Sequence, residues 1–210
     1  LMLAERGYLV MSFDNRGTPA PKDRAWRKVI YGHVNVLAVK EQTTALQSLL
    51  QQRPYLDRSR IGVWGHSGGG SNTLNLMFRS PEVYHVGVSL APVTDQRLYD
   101  TIYQERYLGL PDQNPDGYRE GSPLSHAAGL KGKLLLVHGA ADDNVHYQNS
   151  EKLINRLVEL QKPFDLMVYP SGTHAISEGK GYSLHRYRMI ARYLVEHLSA
   201  PSPTAVRPSQ

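Results

Sequence analysis

The chain has 210 residues, 40% hydrophobic and 20% charged, which is the composition of one sizeable globular domain and excludes wholesale disorder. It contains no cysteine, which excludes disulfide frameworks, thiolate metal sites and cysteine nucleophiles but is compatible with both cytoplasm and periplasm; no apolar run approaches the roughly 20 residues that span a bilayer. The net charge of +5 is spread thinly, with no run of basic residues, which argues against a nucleic-acid partner.

The stretch Leu1-Met2-Leu3-Ala4-Glu5-Arg6-Gly7 reads as the last turn of a helix stopped by Gly7, and a start in mid-element predicts a fragment of something longer. Tyr8-Leu9-Val10-Met11-Ser12-Phe13 is almost wholly apolar and predicts a strand buried on both faces. Turn residues follow at 14–19, and residues 19–33 predict a long loop. From Val34 to Gln52 the spacing becomes helical, with Ala38, Ala45, Leu46, Leu49 and Leu50 on one stripe and Pro54 as the stop.

The alternation then repeats. Residues 61–64 predict a strand, 71–79 a helix, 86–90 and 134–137 two strands, 147–161 a helix, 164–169 a strand and 182–198 a closing helix. Leu153, Ile154, Leu157 and Val158 are the expected inward residues of the first long helix of this run, and Tyr187, Ile190, Leu194 and Leu198 those of the last. This pattern predicts the α/β class, a mostly parallel sheet with helices on both faces. Residues 92–130, rich in Tyr, Asp, Pro and Gly, predict an excursion of short helices over one end of the sheet. Residues 200–210 have the composition of a disordered tail, leaving 1–199 as the domain.

The sharpest motif is Gly65-His66-Ser67-Gly68-Gly69, between a predicted strand and a predicted helix. That context is the one a nucleophile elbow needs: a tight strand-to-helix turn lifts the serine hydroxyl out at the carboxyl end of the sheet. It brings the residues two before and two after the serine together, so Gly65 and Gly69 are expected to be small for that reason. The N–H of Gly68, at the helix start, is placed for an oxyanion.

A serine hydroxyl needs a base, and on such a sheet the order is Ser, acid, His. Of nine histidines, His174 is the best placed, just past the strand 164–169. His66 is expected to point away from Ser67, and His138 to be packed and hydrogen-bonded. Spacing alone does not separate Asp142 from Asp143 as the acid that orients the imidazole. His138, Asp142, Asp143 and His146 also make an H-x₃-D-D-x₂-H cluster, but on a loop that spacing fixes no metal geometry, so neither metal nor organic cofactor is expected.

Taken together, Trp64-Gly65-His66-Ser67-Gly68-Gly69, Asp142-Asp143-Asn144-Val145-His146 and the loop at His174 resemble the catalytic domain of the prolyl oligopeptidase family. Phe13-Asp14-Asn15-Arg16-Gly17, Ala91-Pro92-Val93-Thr94-Asp95, Tyr99-Asp100, Tyr103 and Glu105-Arg106-Tyr107-Leu108-Gly109-Leu110-Pro111 narrow the resemblance to the dipeptidyl-peptidase IV branch. The similarity runs from about residue 8 to residue 198.

The resemblance implies an α/β-hydrolase fold and a serine peptidase that cleaves through an acyl-enzyme, with Ser67 as nucleophile, His174 as base and Asp142 as the orienting acid. It implies that Asn144 binds a substrate carbonyl. Val93, Tyr99, Tyr103 and Val145 would line the pocket for the residue before the scissile bond, usually proline or alanine. It further implies an upstream tyrosine as second oxyanion donor, an upstream β-propeller, and first strands of the sheet that this chain lacks.

The chain departs from the pattern at Gly68 and Gln96, where the branch usually has Tyr and Trp, and at Ala175, where it usually has Gly. The first two departures predict a wider pocket, less selective for proline. Two other readings stand beside the peptidase: an esterase or acyl-peptide hydrolase with the same residues, and a non-catalytic binding protein on the same fold. The expected partner is a peptide substrate, and an exposed sheet edge would favour a homo-oligomer.

Overall fold

In a computed structural model, described here for residues 2–19 and 21–199, the apolar runs form a parallel sheet of four strands. These are β1 (Gly62–His66), β2 (Val86–Leu90), β3 (Lys133–Gly139) and β4 (Asp165–Tyr169), side by side in sequence order. The register sets Trp64 opposite Val88, Val88 opposite Leu135, and Val137 opposite Met167. Because all four strands run the same way, every β-to-α turn opens at one edge of the sheet.

Seven helices accompany the strands: α1 (Arg24–Lys28), α2 (Val36–Gln52), α3 (Gly68–Arg79), α4 (Thr101–Leu108), α5 (Pro115–Gly121), α6 (Gln148–Glu159) and α7 (Tyr182–Leu198). Strand alternation divides the core in two. Leu134 and Leu136 face Leu46 and Leu50 of α2, Leu74 and Met77 of α3, and Leu153 and Leu157 of α6. Leu135 and Val137, with Val86, Val88 and Leu90, face Ile190, Leu194 and Leu198 of α7. Helices therefore cover both faces, as the sequence predicts.

The excursion at 92–130 is also as predicted: 3₁₀ turns at Gln96–Leu98 and Pro123–Gly129 flank α4 and α5. The side chain of Asp100 caps α4 through Tyr103 N–H, and that of Asn114 caps α5 through Gly117 N–H, with Pro115 at the first helical position. At the beginning, Ala4–Arg6 make a 3₁₀ turn that ends at Gly7 with φ 84°. Leu1 and the tail at 200–210 lie outside the described residues.

Four expectations need correction. Residues 8–13 form no strand: Leu9 and Val10 are 55% and 54% exposed, and residues 9–13 make no backbone–backbone hydrogen bond. A cleft of about 850 Å³ separates them from Ile61 and from Gly62–Trp64 of β1, and an apolar run without a ladder partner in reach does not become a strand. The loop at 19–33 contains the short α1, capped by Asp23 accepting from Trp26 N–H. Val158 is 57% exposed, because it sits about 100° round α6 from Leu157, whose stripe with Leu153 carries the burial. Tyr187 is 50% exposed, because the buried residues of α7 begin only at Ile190, where the sheet lies beneath it.

No described helix is long and apolar enough to cross a membrane.

Candidate active site

β1 ends at His66 and α3 begins at Gly68, leaving Ser67 alone to turn the chain. Its backbone stands at φ 59°, ψ −121°, a costly conformation for a residue with a Cβ. The turn is held by Ser67 N–H donating to the Leu90 carbonyl at 2.8 Å, at the end of the neighbouring strand. A Cβ on Gly65 would overlap the Gly69 carbonyl, so Gly65 is small by necessity. Gly69 is different from expectation: a Cβ there meets nothing within 4 Å. The second steric requirement falls on Gly70, whose Cβ would stand 2.5 Å from the Leu90 carbonyl as α3 crosses β2. The N–H of Gly68 lies in the first turn of α3, where it has no intrahelical acceptor.

From Ser67 a continuous line of hydrogen bonds runs inward. Ser67 Oγ lies 2.9 Å from His174 Nε2, and His174 Nδ1 lies 2.8 Å from Asp142 Oδ2. The three residues come from the carboxyl ends of β1, β3 and β4, the edge predicted for them. Of the two candidates that spacing left open, Asp142 is buried against His174, whereas Asp143 is exposed.

Asp142 is held at four points. Its Oδ1 accepts the N–H groups of Asn144 and Val145 at 3.0 and 2.9 Å. Its Oδ2 accepts from His174 and also lies 3.1 Å from Nε2 of His138. His138 is fully buried, with Nε2 2.8 Å from the Val145 carbonyl and Nδ1 2.7 Å from Ser150 Oγ. A carbonyl can only accept, so the His138 proton is on Nε2 and Nδ1 accepts from Ser150. Burial pushes the pKa of His138 below its ordinary value. The packed, hydrogen-bonded histidine of the sequence reading is thus a direct partner of the carboxylate.

The loop that carries His174 is clasped on several sides. His66 Nε2–H donates to the His174 carbonyl at 2.7 Å, and the two rings lie with centroids 4.8 Å apart. His66 thus reaches the backbone of His174, a contact that the sequence reading did not foresee. Burial lowers its pKa. The Arg186 guanidinium donates to the Ala175 carbonyl. Glu178 accepts from Thr173 Oγ1 and N–H and from Ser177 N–H and Oγ, which lowers its carboxyl pKa to about 2, the Thr173 hydroxyl contributing most.

Beside Ser67 lies a cavity of about 90 Å³ lined by Gly68, Val93, Gln96, Tyr99, Tyr103 and Gln104, among others. Val93, Tyr99 and Tyr103 are brought together here as the resemblance implies. Tyr99 Oη–H donates to Asn144 Oδ1 at 3.0 Å, tying the cavity to the loop of Asp142. Burial raises the hydroxyl pKa of both tyrosines. Val145 is fully buried, and its backbone serves Asp142 and His138. Gln104 lines the cavity with no forewarning in the sequence, where it is one polar residue in a short polar helix.

The profile of the prolyl oligopeptidase family matches residues 1–201. The chain is 35% identical to dipeptidyl peptidase 8 of Mus musculus over 204 residues, which is 94% of this chain and 22% of that protein. It is 39% identical to a probable dipeptidyl-aminopeptidase B of Metarhizium robertsii over 174 residues, 81% of this chain and 19% of that one. The crystal structure of Porphyromonas gingivalis dipeptidyl peptidase 4 superimposes with a TM-score of 0.83 at 39% identity, covering 88% of this chain and 26% of that one. The chain thus spans about a fifth of the length of these curated relatives. The α/β-hydrolase fold expected from the sequence is the fold of this chain.

Proposed function

Since the chain belongs to the prolyl oligopeptidase family of serine peptidases, we propose that Ser67, His174 and Asp142 form its catalytic triad and act on peptides in the manner of a dipeptidyl peptidase. The observation that carries the reading is the unbroken line from Ser67 Oγ through His174 to a buried carboxylate.

In the first half-reaction Ser67 Oγ attacks the scissile carbonyl while its proton passes to His174 Nε2. Asp142 keeps the His174 proton on Nδ1 and stabilises the imidazolium. The oxyanion of the tetrahedral intermediate takes the Gly68 N–H. As the intermediate collapses, the C–N bond breaks and His174 returns the proton to the leaving amine. Water then attacks the acyl-enzyme with His174 again as base, releasing the acid and restoring Ser67.

The residue before the scissile bond occupies the cavity lined by Val93, Tyr99 and Tyr103, and Asn144 offers its side-chain amide to a substrate carbonyl. The absence of a side chain at Gly68, where an added Cβ meets nothing within 4 Å, and the amide of Gln96 leave that cavity without two aromatic walls. Proline and alanine both fit such a site.

The test is intact-mass labelling with a fluorophosphonate, alongside hydrolysis of dipeptide p-nitroanilides. Stoichiometric labelling and turnover, both abolished in Ser67→Ala and His174→Ala, are expected. Full hydrolysis by Ser67→Ala would overturn the proposal.

A further inference from the structure

Ser67 and His174 are joined by two routes. The first is the hydrogen bond between Ser67 Oγ and His174 Nε2 at 2.9 Å. The second runs through the residue before the serine: His66, the last residue of β1, has its Nε2 2.7 Å from the His174 carbonyl. A carbonyl can only accept, so neutral His66 carries its proton on Nε2 and leaves Nδ1 bare. The rings of His66 and His174 also lie side by side, with centroids 4.8 Å apart and planes inclined at 32°. His66 is itself set by the sheet, opposite Leu90 of β2 in the register. Two neighbours in the chain thus grip one histidine at both ends, Ser67 by its imidazole and His66 by its backbone carbonyl.

The closed ring matters because its two members are held differently. Ser67 is fixed by the turn and by its N–H bond to the Leu90 carbonyl at 2.8 Å. His174 stands in the loop between β4 and α7. The other ties of that loop, Arg186 to the Ala175 carbonyl and Glu178 to Thr173, come from α7 and from the loop itself, and neither reaches β1. Resting on the reading of Ser67 as nucleophile and His174 as its base, we infer that His66 is a positioning residue for the reaction. Its Nε2–H binds the His174 backbone to the strand that carries the nucleophile, and so keeps the imidazole within reach of Ser67 Oγ. It acts through His174 and touches no reacting atom of the substrate. A misplacement of about 1 Å in such a pair costs on the order of 10²-fold in rate.

Two substitutions separate the hydrogen bond from the bulk of the ring. His66→Phe keeps a ring and removes the donor, whereas His66→Gln gives up the ring and keeps an N–H at similar reach. The experiment measures the second-order rate of fluorophosphonate labelling of Ser67, together with kcat and KM for dipeptide p-nitroanilides ending in Pro and Ala. His66→Phe should lower both the labelling rate and kcat by about 10²-fold with KM unchanged, and His66→Gln should recover most of that loss. Labelling of His66→Phe at the wild-type rate overturns the inference, and so does a His66→Gln that falls as far as His66→Phe. If neither variant folds, the ¹⁵N spectrum of the wild-type histidines at pH 8 decides alone: His66 is expected as the Nε2–H tautomer, and the Nδ1–H tautomer overturns the inference. A protein whose labelling responds to His66 in this way but which cleaves neither substrate overturns the peptidase reading and leaves the inference standing. A folded wild-type protein whose Ser67 does not label overturns both.

Discussion

His138 and His174 converge on a single oxygen, Asp142 Oδ2, at 3.1 and 2.8 Å. One imidazole faces Ser67, and the other is locked in the core by Ser150 and the Val145 carbonyl. Asp142 therefore has a fixed neighbour behind it that keeps Oδ2 turned to His174. Replacing His138 by Phe should leave Ser150 Oγ and the Val145 carbonyl unpaired and lower unfolding free energy by about 1–3 kcal/mol. The labelling rate of Ser67 should fall with it, and both losses are read from urea titrations and fluorophosphonate kinetics on one preparation.

The same buried imidazole gives stability a pH dependence. The His138 and His66 pKa values are depressed by burial, so the folded protein binds fewer protons than the unfolded chain once pH drops below about 6.5. Stability from this source is complete above that pH and is lost as pH falls toward the lowered folded values. The urea midpoint should be lower at pH 5.5 than at pH 8, and His138→Gln should flatten the difference.

Removing the charge of the acid while keeping its shape is a sharper test of its role. Asp142→Asn should reduce kcat by about 10⁴-fold, because the amide no longer holds the tautomer that the base needs. Circular dichroism should be unchanged.

The glycines of the elbow are not equivalent. Gly65→Ala and Gly70→Ala place a Cβ against the carbonyls of Gly69 and Leu90, and both should abolish labelling of Ser67. Gly69→Ala has open space before it and should label at close to the wild-type rate. Equal losses in all three would show that the turn depends on backbone freedom rather than on close approach.

Glu178 gathers four donors from the two sides of the His174 loop, and its carboxyl pKa of about 2 lies below its ordinary value. The stabilisation is present at neutral pH and is lost as pH falls from the ordinary carboxylate range toward that folded value. Glu178→Gln should speed hydrogen exchange at residues 173–177 and leave exchange in β2 unaffected.

Much of this was legible in the chain itself. Val86–Leu90 and the apolar centre of β3 are continuous runs that only a doubly covered strand can use, and the periodicity of α7 located its bounds. Ser67 announced itself by its glycines, and His174 by its place just past a strand. The failures share a cause. The apolar run at 8–13 looks like a strand because hydrophobicity records a preference for burial, but not whether a partner is there to provide it. Gln104 and Glu178 carry no local pattern at all, since each owes its contacts to a group 5 to 8 residues away. Gly70 escaped notice because its constraint is the carbonyl of a different strand.

The side chains of Ser67, Asp142 and His174 follow three strand ends, and the pairing of those strands fixes where they stand. A slip of one residue between neighbours would carry a side chain about 3.3 Å along the sheet and turn it to the opposite face. No hydrogen bond of 2.8 or 2.9 Å survives such a shift. Nucleophilicity at Ser67 is therefore a gauge of alignment across the sheet: a chain that reacts has all four strands in step, and a misthreaded one is silent however compact it has become.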